Sequence, residues 1–348
     1  MSKPSVLLIE TGGTIAQKPG KNGALSPTGQ SVLSRLKDIG RIAKLEAERL
    51  PVALDSTNML HEQRAHIAQI IHHNANAFDG FVVVHGTDTM SDTAAALTFM
   101  LQGLGKPVIL TGSQLPIIDE RSDGVRNLYS AVTAATQDYG EVAIAFGNGI
   151  YRGPRTIKVD SEGFDAFASP RTAPIGKVGI RIEPQEGRIT RADSAGEKRL
   201  FTSFDTQIGF FYPMSGVGSR IFTSQIDHPD LHAFVFVGFG AGNVPEVYYD
   251  SIEHARQLHK PIVVVTQCIQ GSVNMRLYQT GAIPLKLGAI SGGDMTLQTA
   301  TQKLMYALGK AEAKKVVPEK LVSFVRDIMY VNYAKEIEPA SIERANGN

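Results

Sequence analysis

Cysteine is almost absent: Cys268 is the only one in 348 residues. That excludes an intrachain disulfide and any metal site built from several thiolates. Charge of one sign is missing too. The 35 lysines and arginines nearly balance 34 acids, for a net charge of about +1. With both signs intermixed, there is no footprint for nucleic acid and no polybasic face for a membrane. Long hydrophobic runs are also lacking. Val6-Leu7-Leu8-Ile9 gives way to Glu10 after four residues. A secretory core needs roughly 7–15 apolar residues and a membrane span roughly 20. The expectation is a soluble, cytoplasmic protein with no signal peptide.

What is present is an ordinary globular composition, 43% hydrophobic and 20% charged. The chain exceeds the length at which one hydrophobic core stays favourable, so two domains are expected. Short apolar runs at Val6–Ile9, Lys44–Ala53, Phe81–Val84, Pro107–Leu110 and Val142–Phe146 read as strands. Helix-compatible stretches lie between them near 31–38, 59–78, 91–104 and 127–137, with Ser91 or Asp92 capping the third. Strands alternating with helices imply an α/β fold with a doubly wound, mainly parallel sheet. Residues 17–29 carry glycines at 20, 23 and 29 and prolines at 19 and 27, which makes them a loop. From 147 to 199 the rhythm lapses into a hairpin and a linker. It resumes with strands at 208–212, 233–237 and 262–265 and helices at 247–258 and 297–308. The expected division is a larger N-terminal domain over 1–195, a linker over 196–206 and a smaller α/β domain over 207–348.

Two stretches carry the chemistry. Thr11-Gly12-Gly13-Thr14-Ile15 follows the first strand, and His85-Gly86-Thr87-Asp88-Thr89 follows Phe81–Val84. In open α/β sheets, ligands sit in the crevice beyond the strand carboxyl ends. A hydroxyl on a glycine turn there can act as a nucleophile once a base or field activates it. The plainer reading of each is helix capping. Asp88 could hold a substrate ammonium, and Thr87 could attack or polarise a carbonyl. Asp55-Ser56-Thr57-Asn58 is a third polar cluster after a strand, able to bind a carboxylate or merely to cap a helix. Lys158, in Arg155-Thr156-Ile157-Lys158, could lower a nearby hydroxyl's pKa, although nothing in the residues alone separates it from a surface lysine.

Other patterns fail. His61 and His66 lie five apart and diverge by roughly 140° on a helix, which misses the zinc motif. Gly238-Phe239-Gly240-Ala241-Gly242-Asn243 follows a strand but lacks the last glycine of the dinucleotide fingerprint. No Walker loop occurs. Neither metal, NAD nor ATP is expected, and no cofactor.

At these residues the chain resembles the bacterial-type L-asparaginase/glutaminase family. The two threonine turns look like its signature motifs. Thr111-Gly112-Ser113-Gln114-Leu115-Pro116, Ser122-Asp123-Gly124 and Asn127-Leu128-Tyr129 look like its next strand and helix. Gly240–Pro245 resembles its C-domain substrate loop. Gln267-Cys268-Ile269-Gln270-Gly271-Ser272-Val273 with Gly292-Gly293-Asp294-Met295-Thr296 is similar to the cytoplasmic type I branch. Cys268 falls in a stretch like that branch's effector region; the plainer reading is a small buried hydrophobe.

The resemblance implies an asparagine amidohydrolase working through a threonine acyl-enzyme. By it, Thr14 attacks the side-chain amide, and Thr87, Asp88 and Lys158 match the second catalytic group. Ser56 matches the residue that binds the substrate α-carboxylate; Thr57 stands where many members carry glutamine. Asp88 would also take the α-ammonium, and Asn243 matches a residue contributed by a neighbouring subunit. The family implies a homo-oligomer, a dimer or a homotetramer built as a dimer of dimers, with a small amide as its only ligand partner. One departure stands out: the family's loop tyrosine is missing from residues 15–30, where Leu25 falls near its place. Leucine cannot relay a proton. Three alternatives follow: another small or N-substituted amide as substrate, a non-catalytic ligand sensor that kept the pocket but lost turnover with the loop tyrosine, or the glutaminase subunit of a tRNA-dependent amidotransferase. Such subunits carry an extra N-terminal domain, whereas this chain starts at the first strand.

Overall fold

A computed structural model describes residues 3–19, 25–27, 31–35, 38–191 and 196–346. The chain divides into two compact units, Met1–Thr202 and Ser203–Asn348.

In the first unit the apolar runs form β1 (Ser5–Gly12), β2 (Lys44–Leu54), β3 (Gly80–Val84), β4 (Val108–Thr111) and β5 (Val142–Phe146). These five are parallel, in the spatial order β2-β1-β3-β4-β5. Every residue of β3 is buried, as a strand covered on both faces must be. The crossovers that cover it are α1 (His61–His73), α2 (Met90–Met100) and α3 (Gly124–Ala135). α3 presents Leu128, Ala131, Val132 and Ala135, spaced by three and four, to the cluster that holds Leu8, Val82 and Ile109.

The sheet has the expected doubly wound, mainly parallel form. Beyond β5 it gains an antiparallel margin: β6 (Gly149–Arg152), β7 (Gly176–Val178) and β8 (Ile182–Pro184). The hairpin expected in this region is part of that margin and belongs to the main sheet.

Several boundaries differ from the sequence reading. The helix expected over 31–38 is a 3-10 turn, Val32–Arg35, with 36–37 outside the described residues. α1 is shorter than the periodicity over 59–78 suggested, because Leu60 is extended and Asn74 leaves the helical region. α2 begins after Thr89, so neither Ser91 nor Asp92 is its cap. Within 17–29, Gln17–Pro19 and Leu25–Pro27 pair as short antiparallel strands. The rest of that loop, including Thr28, lies outside the described residues, as do the side chains of Leu25 and Ser26.

The topology has one consequence for ligands. The chain leaves β1 for β2 on one side and returns for β3 on the other, so the strand order reverses at β1. That reversal opens a crevice at the carboxyl ends of β2, β1 and β3.

The second unit has a four-stranded parallel sheet of β9 (Ile208–Phe211), β10 (Ala233–Gly238), β11 (Ile262–Thr266) and β12 (Ile290–Ser291), in that order. Its helices are α4 (Arg220–Asp227), α5 (Tyr249–Gln257), α6 (Gln279–Lys286), α7 (Leu297–Ala313), α8 (Pro318–Tyr330) and α9 (Pro339–Asn346). Four of these, α4, α6, α8 and α9, have no counterpart in the sequence reading. α6 holds Pro284 in its interior, which argues against a helix on local grounds. Lys303 on α7 is fully buried and donates to Glu336 Oε1 at 2.6 Å and to the carbonyls of Met329 and Val331 at 2.9 and 2.6 Å. A buried charge so completely satisfied fastens the segment after α8 to α7. Cys268 is exposed, so the reading of it as a small buried hydrophobe is wrong. Among the described residues, no helix is long and apolar enough to cross a membrane.

Candidate active site

Three turns meet at the strand reversal because glycine lets them. Gly12, the last residue of β1, and Gly13 after it have φ of 116° and 78°, a region that L side chains rarely occupy. The Gly13 N–H donates to Leu54 O at the end of β2, at 2.9 Å. A Cβ on Gly13 would lie 2.5 Å from Gly86 Cα, and one on Gly86 would lie 2.6 Å from Ser56 Oγ. The turns after β1, β2 and β3 therefore interlock at backbone contact distance. The Thr11 hydroxyl ties β1 to β3 by donating to Val84 O at 3.0 Å. Thr14, Ser56 and Thr87 all emerge on these turns.

Thr87 is the best-supported hydroxyl. Lys158 Nζ donates to Thr87 Oγ1 at 2.9 Å and to Asp88 Oδ1 at 2.7 Å. An ammonium can only donate, so the Thr87 hydroxyl must aim its own proton elsewhere. It donates to Gln114 Oε1 at 3.3 Å. Lys158 belongs to a two-residue strand, Ile157–Lys158, paired with Phe167–Ala168. Gln114 Nε2 donates to Gly163 O, in the loop of that same small hairpin, at 3.0 Å. Asp123 accepts from the backbone N–H groups of Gln114 and Leu115, and from Asn127 Nδ2 at 2.9 Å. The resting geometry thus couples Lys158, Thr87 and Gln114, with Asp123 holding the Gln114 turn.

Beneath Thr87 lies a buried polar group that the sequence reading did not single out. The His85 ring is fully buried, with Nδ1 2.7 Å from Gly86 O and Nε2 2.9 Å from Thr93 Oγ1. Arg64 Nε donates to that same hydroxyl at 3.2 Å. Burial pushes the His85 pKa down to about 4; the bond to Gly86 works against that shift and the Arg64 charge works with it. Burial also raises Asp92, an effect Arg64 opposes.

The remaining predicted residues fall in different settings. Thr14 is half-buried at the start of a 3-10 turn capped by Gly13, and among the described residues no group bonds its hydroxyl. Ser56 is buried, and its carbonyl accepts from the Thr89 hydroxyl at 2.7 Å. Thr57 is exposed, and its N–H and hydroxyl both donate to Asp55 Oδ1, at 3.0 and 2.9 Å. Capping therefore accounts for the Thr57 contacts. Asn243 lies in the second unit, in the turn after β10, where its Oδ1 accepts from the Thr280 hydroxyl at 3.0 Å. Among the described residues, no group of three or more His, Cys, Asp or Glu side chains is placed to hold a metal ion.

Gln114, Asp123 and His85 are the residues that sequence reasoning left without a role. Each had a signal. Gln114 follows β4 just as Thr87 follows β3, and His85 sits inside a stretch already marked.

Comparisons with known proteins identify the family. The family model for the N-terminal domain of asparaginase matches residues 5–190, and the glutaminase/asparaginase C-terminal domain matches 207–319. L-asparaginase 1 of Escherichia coli is 36% identical over 317 residues, 89% of this chain and 93% of that protein. The structure of the thermostable L-asparaginase from Thermococcus kodakarensis superposes with a TM-score of 0.84 at 31% identity, covering 96% of this chain and 99% of that one. A probable cytoplasmic L-asparaginase from Campylobacter jejuni superposes with a TM-score of 0.77 at 26% identity, covering 93% and 99%. With two interlocked threonine turns, matching models over both units and relatives matched along almost their whole length, the chain belongs to the asparaginase family.

Proposed function

We propose that this protein hydrolyses the side-chain amide of L-asparagine to L-aspartate and ammonia through an ester on Thr14. The carrying observation is the Lys158 bridge to Thr87 and Asp88, set beside a first turn only one glycine contact away. Thr14 Oγ1 attacks the amide carbon, and its proton passes to the leaving nitrogen as the C–N bond breaks and ammonia departs. Water then attacks the ester carbonyl and restores the Thr14 hydroxyl as aspartate leaves. Lys158, held by Asp88, favours negative charge on Thr87 Oγ1, so Thr87 serves as the proton-handling partner. Backbone N–H groups of the two turns face the developing oxyanion. Ser56 receives the α-carboxylate and Asp88 the α-ammonium. Asn243 reaches the site from a neighbouring subunit of a dimer of dimers, a role that rests on the family resemblance. Thr57 is the weakest member of the binding set, since Asp55 already occupies its donors. A cytoplasmic location follows the likeness to the Campylobacter protein.

The test is ammonia release from L-asparagine by the wild type and by Thr14→Ala. Loss of the nucleophile should lower kcat by about 10⁴-fold or more. Wild-type turnover in Thr14→Ala removes the nucleophile assignment. A panel of small and N-substituted amides decides the substrate, because residues 15–30 contain no tyrosine.

A further inference from the structure

The buried group under the second threonine turn has a defined proton arrangement. Gly86 O can only accept, so His85 Nδ1 carries the hydrogen of their 2.7 Å bond. A neutral ring then has a bare Nε2, which accepts the Thr93 hydroxyl proton across 2.9 Å. The Thr93 oxygen, its proton committed, accepts from Arg64 Nε at 3.2 Å. The donors run one way, from Arg64 on α1 through Thr93 on α2 to His85 and the Gly86 carbonyl. Arg64, which is buried, and Asp92, which is half-buried, are the charged groups at this cluster.

We propose that His85 is a positioning residue: by holding the Gly86 carbonyl inward, it aims the Thr87 N–H outward into the crevice. In a trans peptide the carbonyl and the next N–H point in opposite directions. The His85 ring is fully buried, so the Thr87 N–H points away from that buried ring. Among the described residues no group accepts from the Thr87 N–H. An uncommitted backbone donor on the turn that touches the Gly13 turn is what a developing oxyanion requires, and its value depends on its being fixed beforehand. Gly86 itself is pressed between Gly13 and Ser56, so the hydrogen bond sets the peptide's orientation and the packing sets its place. This rests on the reading of the crevice as an amide-hydrolysing site and deepens it.

Two measurements test the proposal. The first is the nitrogen NMR spectrum of the wild-type imidazoles at neutral pH, with the His85 signals identified by their loss in His85→Asn. Protonated Nδ1 and bare Nε2 are expected; the opposite tautomer, or an imidazolium, overturns the proposal. The second is steady-state kinetics of His85→Asn, His85→Gln and His85→Leu with L-asparagine. The asparagine amide nitrogen reaches the place of Nδ1, whereas the glutamine nitrogen reaches that of Nε2. Loss of an aimed donor should lower kcat roughly 10²-fold in the Gln and Leu variants, with KM little changed and partial rescue in Asn. Equal loss in all three, or loss that only follows melting temperature, overturns it. If the wild type leaves L-asparagine intact, the functional reading fails while the nitrogen spectrum still decides the tautomer. The spectrum also decides the matter if the variants do not fold.

Discussion

The turn after β1 and the turn after β3 each place a threonine beyond a buried strand, but their surroundings diverge. Thr14 stands half-buried on two positive-φ glycines, with no bond to its hydroxyl among the described residues. Thr87 is buried and gripped from three sides: by Lys158 at 2.9 Å, by Gln114 at 3.3 Å and by the His85 cluster through its preceding carbonyl. A hydroxyl on a glycine turn that no described residue engages suits attack, and one wired to a cation and an amide suits handling of the proton. The lesson is that matching motifs can divide the labour of one reaction when their supports differ.

If that division is real, removing the support of the second turn should be severe. Lys158→Met should lower kcat by about 10³-fold, within the usual range for general acid–base groups, with the fold intact by circular dichroism. A change of only a few-fold would reduce Thr87 to a structural cap and erase the contrast.

The buried support should also be visible as stability. Burial holds the His85 pKa at about 4 in the folded protein, against 6.5 for an exposed imidazole. Between those values the unfolded chain binds the extra proton, so its contribution to stability is complete above pH 6.5. It is lost as pH falls from there toward 4, by on the order of 3 kcal/mol. Urea unfolding of the wild type at pH 7 and pH 4.5 should show this loss, and His85→Asn should lack that share of it. Equal pH dependence in both proteins would contradict the buried neutral ring.

The smallest effect is expected at the third turn. Ser56→Ala should raise KM for L-asparagine by about 10- to 100-fold, the worth of one hydrogen bond to a carboxylate, with kcat nearly kept. A fall in kcat with KM unchanged would move Ser56 from binding into the chemistry.

How much of this was legible beforehand depended on range along the chain. β3 announced itself as four consecutive buried apolar residues after Gly80, and the two turns by their glycines. Lys158 could not be found from local pattern, since its contact with Thr87 spans 71 residues and rests on a two-residue strand. Only the family resemblance picked it out. The fate of Thr57 was equally hidden, because binding and capping use the same donors, and Asp55 decides between them by geometry. In the second unit, α6 was masked by its own proline and is held as a helix by tertiary context. His85 lay in plain sight, but its role needed Thr93 and Arg64, brought in by α2 and α1.

The central claim, that the two threonines are not interchangeable, can be tested by trapping the covalent intermediate. L-asparagine is mixed with enzyme, quenched in acid within the first turnover, and the digest mapped by mass spectrometry. The account predicts a β-aspartyl ester on the peptide containing Thr14, absent from Thr14→Ala and still formed slowly in Thr87→Ala. An ester on Thr87, with Thr14 unmodified, would contradict it.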